Sequence, residues 1–556
     1  MLSLNLEQWP FSGLATSLAV AVTVYLILFR LSSTKAHPEE PPIITSPIPF
    51  IGHLLGMALR GGSYVKSLGL KNRDKPIFTL TVPFSRIYIV TDPSLAAAVQ
   101  RASKALSFTP LVPDVTKRVL GLDDATIDIV RQNLDPEPGD PRGFLADMHD
   151  MVYSYLGPGE PLNELTLEAV RELAVQINAY AASSSSSSSS AAGGDSGEVV
   201  DLLEWLRHFV TIGTAHFLYG PHNPLAVHPE LEAAFWDFDH GLGRLLMNVA
   251  PSVTARRPYR GREALAAALV AYLEAGYGRT EAARIVQNRV RIAEQYGWGP
   301  AATARSELSF LFAGIVNTAT TTFWTVLRIF ADPALLAAVR AELIGAGALS
   351  AETAMPTGPG PGPERTLSVD ALKAGCPTLL AVFRECLRLG SDNYSTRLVK
   401  ADTLLSNRYF LKGDSVVQIA GGVIHADERI WGSDADAFNP SRFLAGTTTN
   451  GDGEGGAGAS KQKEHGSGIH PAAFRSFGGG KTLCPGRHFA TNEILGFVAM
   501  VVATFELEAL DGGRITVPNK DDQVLPVHIL EPKASDAVKV RVKLRDGQYK
   551  ALKVVS

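Results

Sequence analysis

Phe477-Gly478-Gly479-Gly480-Lys481-Thr482-Leu483-Cys484-Pro485-Gly486-Arg487 sets one cysteine in a glycine-rich turn directly before an apolar helical pattern. A backbone rich in glycine can fold tightly around a sulfur, so that amide N–H groups point at a thiolate and temper its charge. A cysteine thiolate is also an axial ligand of haem iron, where it pushes electron density toward O–O cleavage. The run therefore predicts a haem-thiolate site with Cys484 as the axial donor. The competing reading is a glycine-rich loop beside an inert buried cysteine.

Two further stretches give the run a context. Phe383-Arg384-Glu385-Cys386-Leu387-Arg388-Leu389 is helix-like and puts Glu385 and Arg388 at i, i+3 on one helix face. About fifty residues on, His425-Ala426-Asp427-Glu428-Arg429-Ile430-Trp431 precedes Phe438-Asn439-Pro440-Ser441-Arg442-Phe443. Taken in order, the three motifs resemble the E-x-x-R helix, the aromatic-Pro-Arg meander and the cysteine loop of the cytochrome P450 superfamily, and the resemblance covers nearly the whole chain. It implies a buried cluster of Glu385, Arg388 and Arg442. It implies haem b with an axial thiolate, held by Cys484 together with Phe477, Gly478, Gly480, Lys481, Gly486 and Arg397. Thr482 stands where the family usually has Arg or His, which puts a propionate contact there in doubt, and Lys481 is the candidate to compensate. The W-x-x-x-R of the family's haem-facing third helix is not visible.

Ser309 to Trp324 resembles the long helix that crosses the distal face of the haem. Most members carry an acid and an alcohol there that deliver protons to oxygen. Aligning Ala313-Gly314 without a gap puts Val316 at the acid position and Asn317 at the alcohol position. A one-residue insertion would make Asn317-Thr318 the match, but a helix absorbs an insertion only through a π-bulge. Asn317 and Thr318 are the catalytic candidates, with the ungapped register favoured and Thr318 in the smaller role. For Thr320 to Thr322, hydroxyls bonded back to helix carbonyls are expected. The A-x-x-x-N-T run is similar to the subgroup of sterol 7α-hydroxylases and prostacyclin synthases.

Trp9 to Phe29 carries no charge and is long enough to cross a hydrocarbon core of ~30 Å. With Arg30 and Lys35 after it and only Glu7 before it, the positive-inside rule puts the bulk of the chain in the cytoplasm. The expected organisation is an anchor over 1–30, a proline-rich hinge over 31–52 acting as a stiff spacer, and one catalytic domain over 53–556. Low-complexity stretches at 183–197, 356–363 and 446–468 read as disordered surface insertions. Helical periodicity is expected at 264–275 and 302–331, and strands at 77–82, 87–90, 416–419 and 538–544. The fold class is mainly α with small β-sheets, a P450 fold behind a membrane anchor.

Hydrophobic residues make up 46% of the chain, and a net charge of −4 argues against a nucleic-acid partner. The three cysteines, Cys376, Cys386 and Cys484, suit a reducing cytosol, with the first two as core thiols. The resemblance implies hydroxylation of a lipophilic terpenoid, sterol or polyketide with O₂, at the endoplasmic-reticulum membrane, with fungal secondary metabolism as the expected setting. Electrons would come from NADPH-cytochrome P450 reductase, with Arg475, Lys481 and Arg487 as candidate contacts. Leu311, Phe312, Ile315, Ser391 to Ser395 and Val524 to Val527 are expected to wall the pocket. A peroxide isomerase like prostacyclin synthase and a non-enzymatic haem-binding protein are the alternatives.

Overall fold

The computed structural model describes residues 20, 22–23, 37–48, 51–83, 85–188, 197–350, 364–444, 469–524, 526–545 and 551–556. Its centre is the helix Pro300–Phe330, with proline at its first turn, where a missing N–H costs nothing. Ile315, Val316, Ala319 and Phe323 on this helix are fully buried. Around it pack the helices Leu202–Tyr219, Arg256–Glu274, Pro377–Gly390 and Arg487–Thr504. The central helix is also the one described helix apolar and long enough to cross a membrane, but 72% of its most apolar window is buried, as in a core helix. The expected anchor lies almost wholly outside the described residues.

The sheets are small. Six strands run in the order Ile43–Ile44, Ile77–Val82, Ser85–Val90, Val416–Ala420, Tyr394–Val399, Leu106–Ser107. Val416 pairs with Ile87 in parallel register and with Leu398 in antiparallel register, which sets Arg397 opposite Val417. A three-stranded sheet joins Phe505–Ala509, Lys539–Leu544 and Glu198–Asp201, and Ala551–Val555 pairs in parallel with Glu364–Ser368. The molecule is thus mainly α with small sheets.

Part of the expected hinge is not a free spacer. Ile43 and Ile44 pair in parallel with Thr79 and Leu80, Thr79 N–H donates to the Pro42 carbonyl at 2.8 Å, and Glu40 pairs with Arg86 at 2.5 Å. Proline's extended backbone lacks a donor, so such a segment suits an edge strand. The serine run also departs from expectation at its start, because helix Glu160–Ser188 continues through it. Propagating an existing helix adds one bond per residue fixed, and Ser183 and Ser184 hydroxyls donate to the Tyr180 carbonyl. Residues 189–196, 351–363 and 445–468, with the rest of the expected insertions, lie outside the described residues.

One buried cluster joins the central helices to the long irregular segment before the cysteine loop. Glu385 Oε1 lies 2.7 Å from Arg388 Nη2 and 3.1 Å from Arg442 Nε, and accepts the Asn439 N–H at 3.0 Å. Glu385 and Arg388 side chains are fully buried and Arg442 nearly so. Arg388 spends its other donors on the carbonyls of His425 and Ala435, and Arg442 on those of Trp431 and Asp434. Removing one partner of a buried pair strands the others' charge, at a cost of ~3–5 kcal/mol. Glu385→Ala is therefore expected to lower the unfolding free energy from denaturant titration by that amount or to prevent accumulation of folded protein. A loss below ~1 kcal/mol would mean that the cluster contributes no more than a surface pair.

Candidate functional site

A cavity of about 630 Å³ lies between the central helix and the cysteine loop. Its floor is the loop Phe477, Gly478, Thr482, Cys484, Pro485 and Gly486. Gly478 (φ +76°) and Gly480 (φ +61°) take the left-handed conformation that lets the loop reverse, and Cys484 N–H closes it on the Phe477 carbonyl at 2.9 Å. Burial pushes the Cys484 thiol up, while the N–H groups of Gly486 and Arg487 and the Arg487 guanidinium pull it back. Among the three cysteines it alone lines the cavity. Burial drives Cys376 to about 11 and Cys386 to about 12, as expected of packing thiols.

The central helix presents Ser309, Phe310, Ala313, Gly314, Asn317, Thr318 and Thr321 to the cavity. That stripe follows the 3.6-residue period, and the helix carries no π-bulge. Leu311 and Ile315, expected as walls, turn into the core at 1% and 0% exposure, and Phe312 does not reach the cavity either. Asn317 is exposed to the cavity, whereas Val316 and Thr318 are buried. Asn317 Oδ1 is already taken, accepting the N–H of Ile529 at 2.9 Å. Thr320 and Thr322 hydroxyls, expected to bond back to the helix, are buried without a hydrogen-bond partner, although Thr303, Ser309 and Thr325 elsewhere on it do bond back, Thr325 to Thr321 O at 2.8 Å. Ser391 and Asn393 to Ser395 line the cavity as expected, while of the late loop Val527 does so with His528 and Ile529.

The rim is cationic. Arg397 donates to Thr482 Oγ1 at 2.5 Å and to the Thr396 carbonyl at 2.7 Å, so the residue in the family's Arg/His place instead orients the arginine. Arg475 is 1% exposed, and burial together with Arg397 brings it down to about 10. It is no contact for a partner protein. Neither guanidinium has a carboxylate partner among the described residues; Arg475 turns to Gln100 away from the cavity, while Arg397 lines it and leaves its charge for an anionic ligand. Lys481 is exposed and faces a neighbouring opening of about 780 Å³, which Tyr153 and His149 also line. Cysteine, glycine cradle and the unpaired Arg397 together fit a flat, dianionic metal macrocycle.

Glu493 has no counterpart in the sequence reading. It sits one and a half turns into the helix Arg487–Thr504, 1% exposed, with Thr214 Oγ1 at 3.5 Å and Thr318 as its other polar neighbour. Burial drives its carboxyl up to about 8. An apolar helix containing one Glu was the only signal available, since its partners come from two other helices.

Residues 302–534 match the model of the cytochrome P450 family. A P450 monooxygenase of Hypoxylon pulicicidum, nodJ, is 31% identical over 94% of this chain and 93% of its own length. The chain belongs to the cytochrome P450 family. The pig 5-beta-cholestane-3-alpha,7-alpha-diol 12-alpha-hydroxylase is 24% identical to this P450 over 95% of the chain and 97% of the hydroxylase. The haem domain of cytochrome P450DA superposes with a TM-score of 0.64 at 15% identity, covering 92% and 99% of the two chains. As a P450 the chain is a haem enzyme with a cysteine thiolate ligand and a monooxygenase, and it needs a redox partner and a lipophilic substrate.

Two predictions follow from this geometry. Cys386→Ser is expected to keep the thiolate-type absorption band of the reduced CO complex, and Cys484→Ser to lose it; the reverse pattern would move the ligand. Glu493 is protonated in the fold up to about pH 8 but ionised above about pH 4.5 when unfolded, so it binds more protons folded and its contribution falls as pH rises. Against Glu493→Gln, the parent is expected to lose roughly 2 kcal/mol of unfolding free energy between about pH 6 and about pH 8. Equal pH slopes for the two proteins would place the Glu493 carboxyl in the ordinary range.

Proposed function

We propose that this P450 is an endoplasmic-reticulum enzyme anchored by residues 1–30. It hydroxylates a lipophilic terpenoid, sterol or polyketide of fungal secondary metabolism, with electrons from NADPH-cytochrome P450 reductase. The observation that carries the reading is that Cys484 and the pair Asn317–Thr318 face one cavity from opposite walls. Polar surface in that cavity is sparse and its volume suits a prosthetic group with an apolar substrate. Relatives named as fungal monooxygenases, and a sterol-type 12-alpha-hydroxylase, support the substrate class.

Haem, when bound, supplies the oxygen-activating iron whose thiolate ligand favours O–O cleavage. The chain's own residues do the rest. Cys484 would hold the iron, and Arg397, steadied by Thr482, would hold the carboxylates of the group. Asn317, its Oδ1 engaged by Ile529, keeps its NH₂ free to hold a water in the cavity. Val316 at the usual acid position carries no proton, so Glu493 is the acid, supplied from the cysteine's helix and protonated at neutral pH. Thr318 lies next to it and lines the cavity, and a hydroxyl both donates and accepts, so it passes the proton onward.

Reconstitution with the reductase tests this. Asn317→Ala, Thr318→Ala and Glu493→Gln are expected to keep haem and NADPH oxidation while diverting at least several-fold more electrons to peroxide. Substrate is identified by comparing metabolites of the host and a deletion strain. If the holoprotein rearranges a hydroperoxide with neither reductase nor O₂, and the three variants leave coupling unchanged, the isomerase reading replaces this one.

A further inference from the structure

The loop that engages Asn317 is itself pinned by a buried group of ionisable side chains outside the haem cavity. Val527, His528 and Ile529 form cavity wall, and Leu530 is fixed behind them, accepting from Trp324 Nε1 at 2.8 Å and donating to the Gly390 carbonyl at 3.0 Å. His528 Nδ1 lies 3.0 Å from the Ile529 carbonyl, an acceptor only, so Nδ1 carries the hydrogen. Nε2 faces Asp239 Oδ1 at 3.5 Å, across from the end of helix Leu231–His240. The Asp239 side chain has no exposed surface, and neither of its oxygens receives a hydrogen bond.

The charged neighbours decide what this arrangement holds. His240 Nε2 is 3.2 Å from Glu531 Oε2 and 3.9 Å from Asp239 Oδ2, and Arg207 pairs with Glu531 and lies 3.8 Å from the largely exposed Glu204. Asp239, His240 and Glu531 are close enough together to bind a metal ion. Arg207 Nη2, however, lies 3.3 Å from the His240 Nε2 that would have to ligate, and already neutralises Glu531. Burial alone would raise Glu531, but His240 and Arg207 outweigh it and bring it down to about 2, so that carboxylate stays charged. Arg207 and His240 are both set against Glu531, so the donor nearest the orphaned Asp239 oxygens is a proton on His528 Nε2, at 3.5 Å against 3.9 Å for His240 Nε2. Burial raises the Asp239 carboxyl, consistent with a shared proton. Without that proton, a carboxylate oxygen and the bare Nε2 lone pair face each other at 3.5 Å.

We propose that Asp239 and His528 are a positioning pair for Asn317: sharing one proton, they hold the 527–531 loop so that the Ile529 N–H fixes Asn317 Oδ1 and leaves the Asn317 NH₂ as the donor facing the cavity. Loss of the proton sets two acceptors against each other, loosens the loop and frees the amide to turn. The proposal rests on Asn317 facing the haem ligand, as in the reading above.

Carbon monoxide bound to the reduced, detergent-purified holoprotein is the probe, because its C–O stretching band responds to a neighbouring N–H donor. The infrared spectrum is followed across the neutral range, from about pH 5 to about pH 8. The parent is expected to convert from one band to a second in a single-proton transition. Asp239→Asn, whose amide donates to Nε2 without titrating, is expected to keep the low-pH band throughout. Asp239→Ala is expected to show the high-pH band throughout, and Asn317→Ala a donor-free band that ignores pH. A parent band that does not titrate, or Asp239→Asn protein that titrates like the parent while Asn317→Ala still shifts the band, overturns the positioning pair and leaves the role of Asn317 standing. An Asn317→Ala spectrum identical to the parent's overturns both.

Discussion

A single buried carboxylate clasped by two guanidiniums organises the approach to the cysteine. Glu385 can sit there only because Arg388, Arg442 and the Asn439 N–H converge on it. Arg388 then reaches the carbonyl of His425, whose ring is held neutral, at about 3, chiefly by burial. His425 Nδ1 donates to Ser391 O at 2.9 Å, so its Nε2 is free to accept the Arg475 N–H at 2.8 Å, at the entry to the cysteine loop. Asn393 and Ser476 tie the same entry to the strand and helix on the other side. The position of Cys484 is thus fixed by a relay of hydrogen bonds that begins some hundred residues upstream.

Two buried carboxyls on helices other than the central one each touch a residue that lines the cavity. Glu493 sits on the cysteine's helix beside Thr318, and Asp239 at the end of helix Leu231–His240 facing His528. Burial raises both, Glu493 to about 8. The central helix carries Val316 and Asn317 where the family has an acid and an alcohol, and so puts hydroxyls and an amide but no charge on its wall of the cavity.

What the sequence disclosed was whatever lies within one turn or loop. The cysteine loop, the Glu385–Arg388 spacing and the ends of the central helix are local patterns, and the structure has them at the expected residues. The cavity-facing stripe is hard to orient from sequence because polar residues fall on both sides of the helix, Thr320 and Thr322 toward the core and Ser309 and Asn317 toward the cavity, so Leu311 and Ile315 look as suitable for a wall as Ala313. Arg475 read as a surface charge because its burial is imposed by Asn393, His425 and Gln100, all distant in sequence. The bond between Ile529 and Asn317, and the facing of Asp239 by His528, span more than two hundred residues each and leave no periodic trace.

The strand Ala551–Val555 seals against Glu364–Ser368, and Lys539–Leu544 against Glu198–Asp201. Both pairings join the last part of the chain to segments made far earlier, and loop closure must precede the reward of such contacts. During synthesis, the helices around the cavity are therefore complete while two of the sheets still lack a strand. Those two sheets cannot close until residues 539–555 have been made, so their pairing is among the longest-range contacts of the fold.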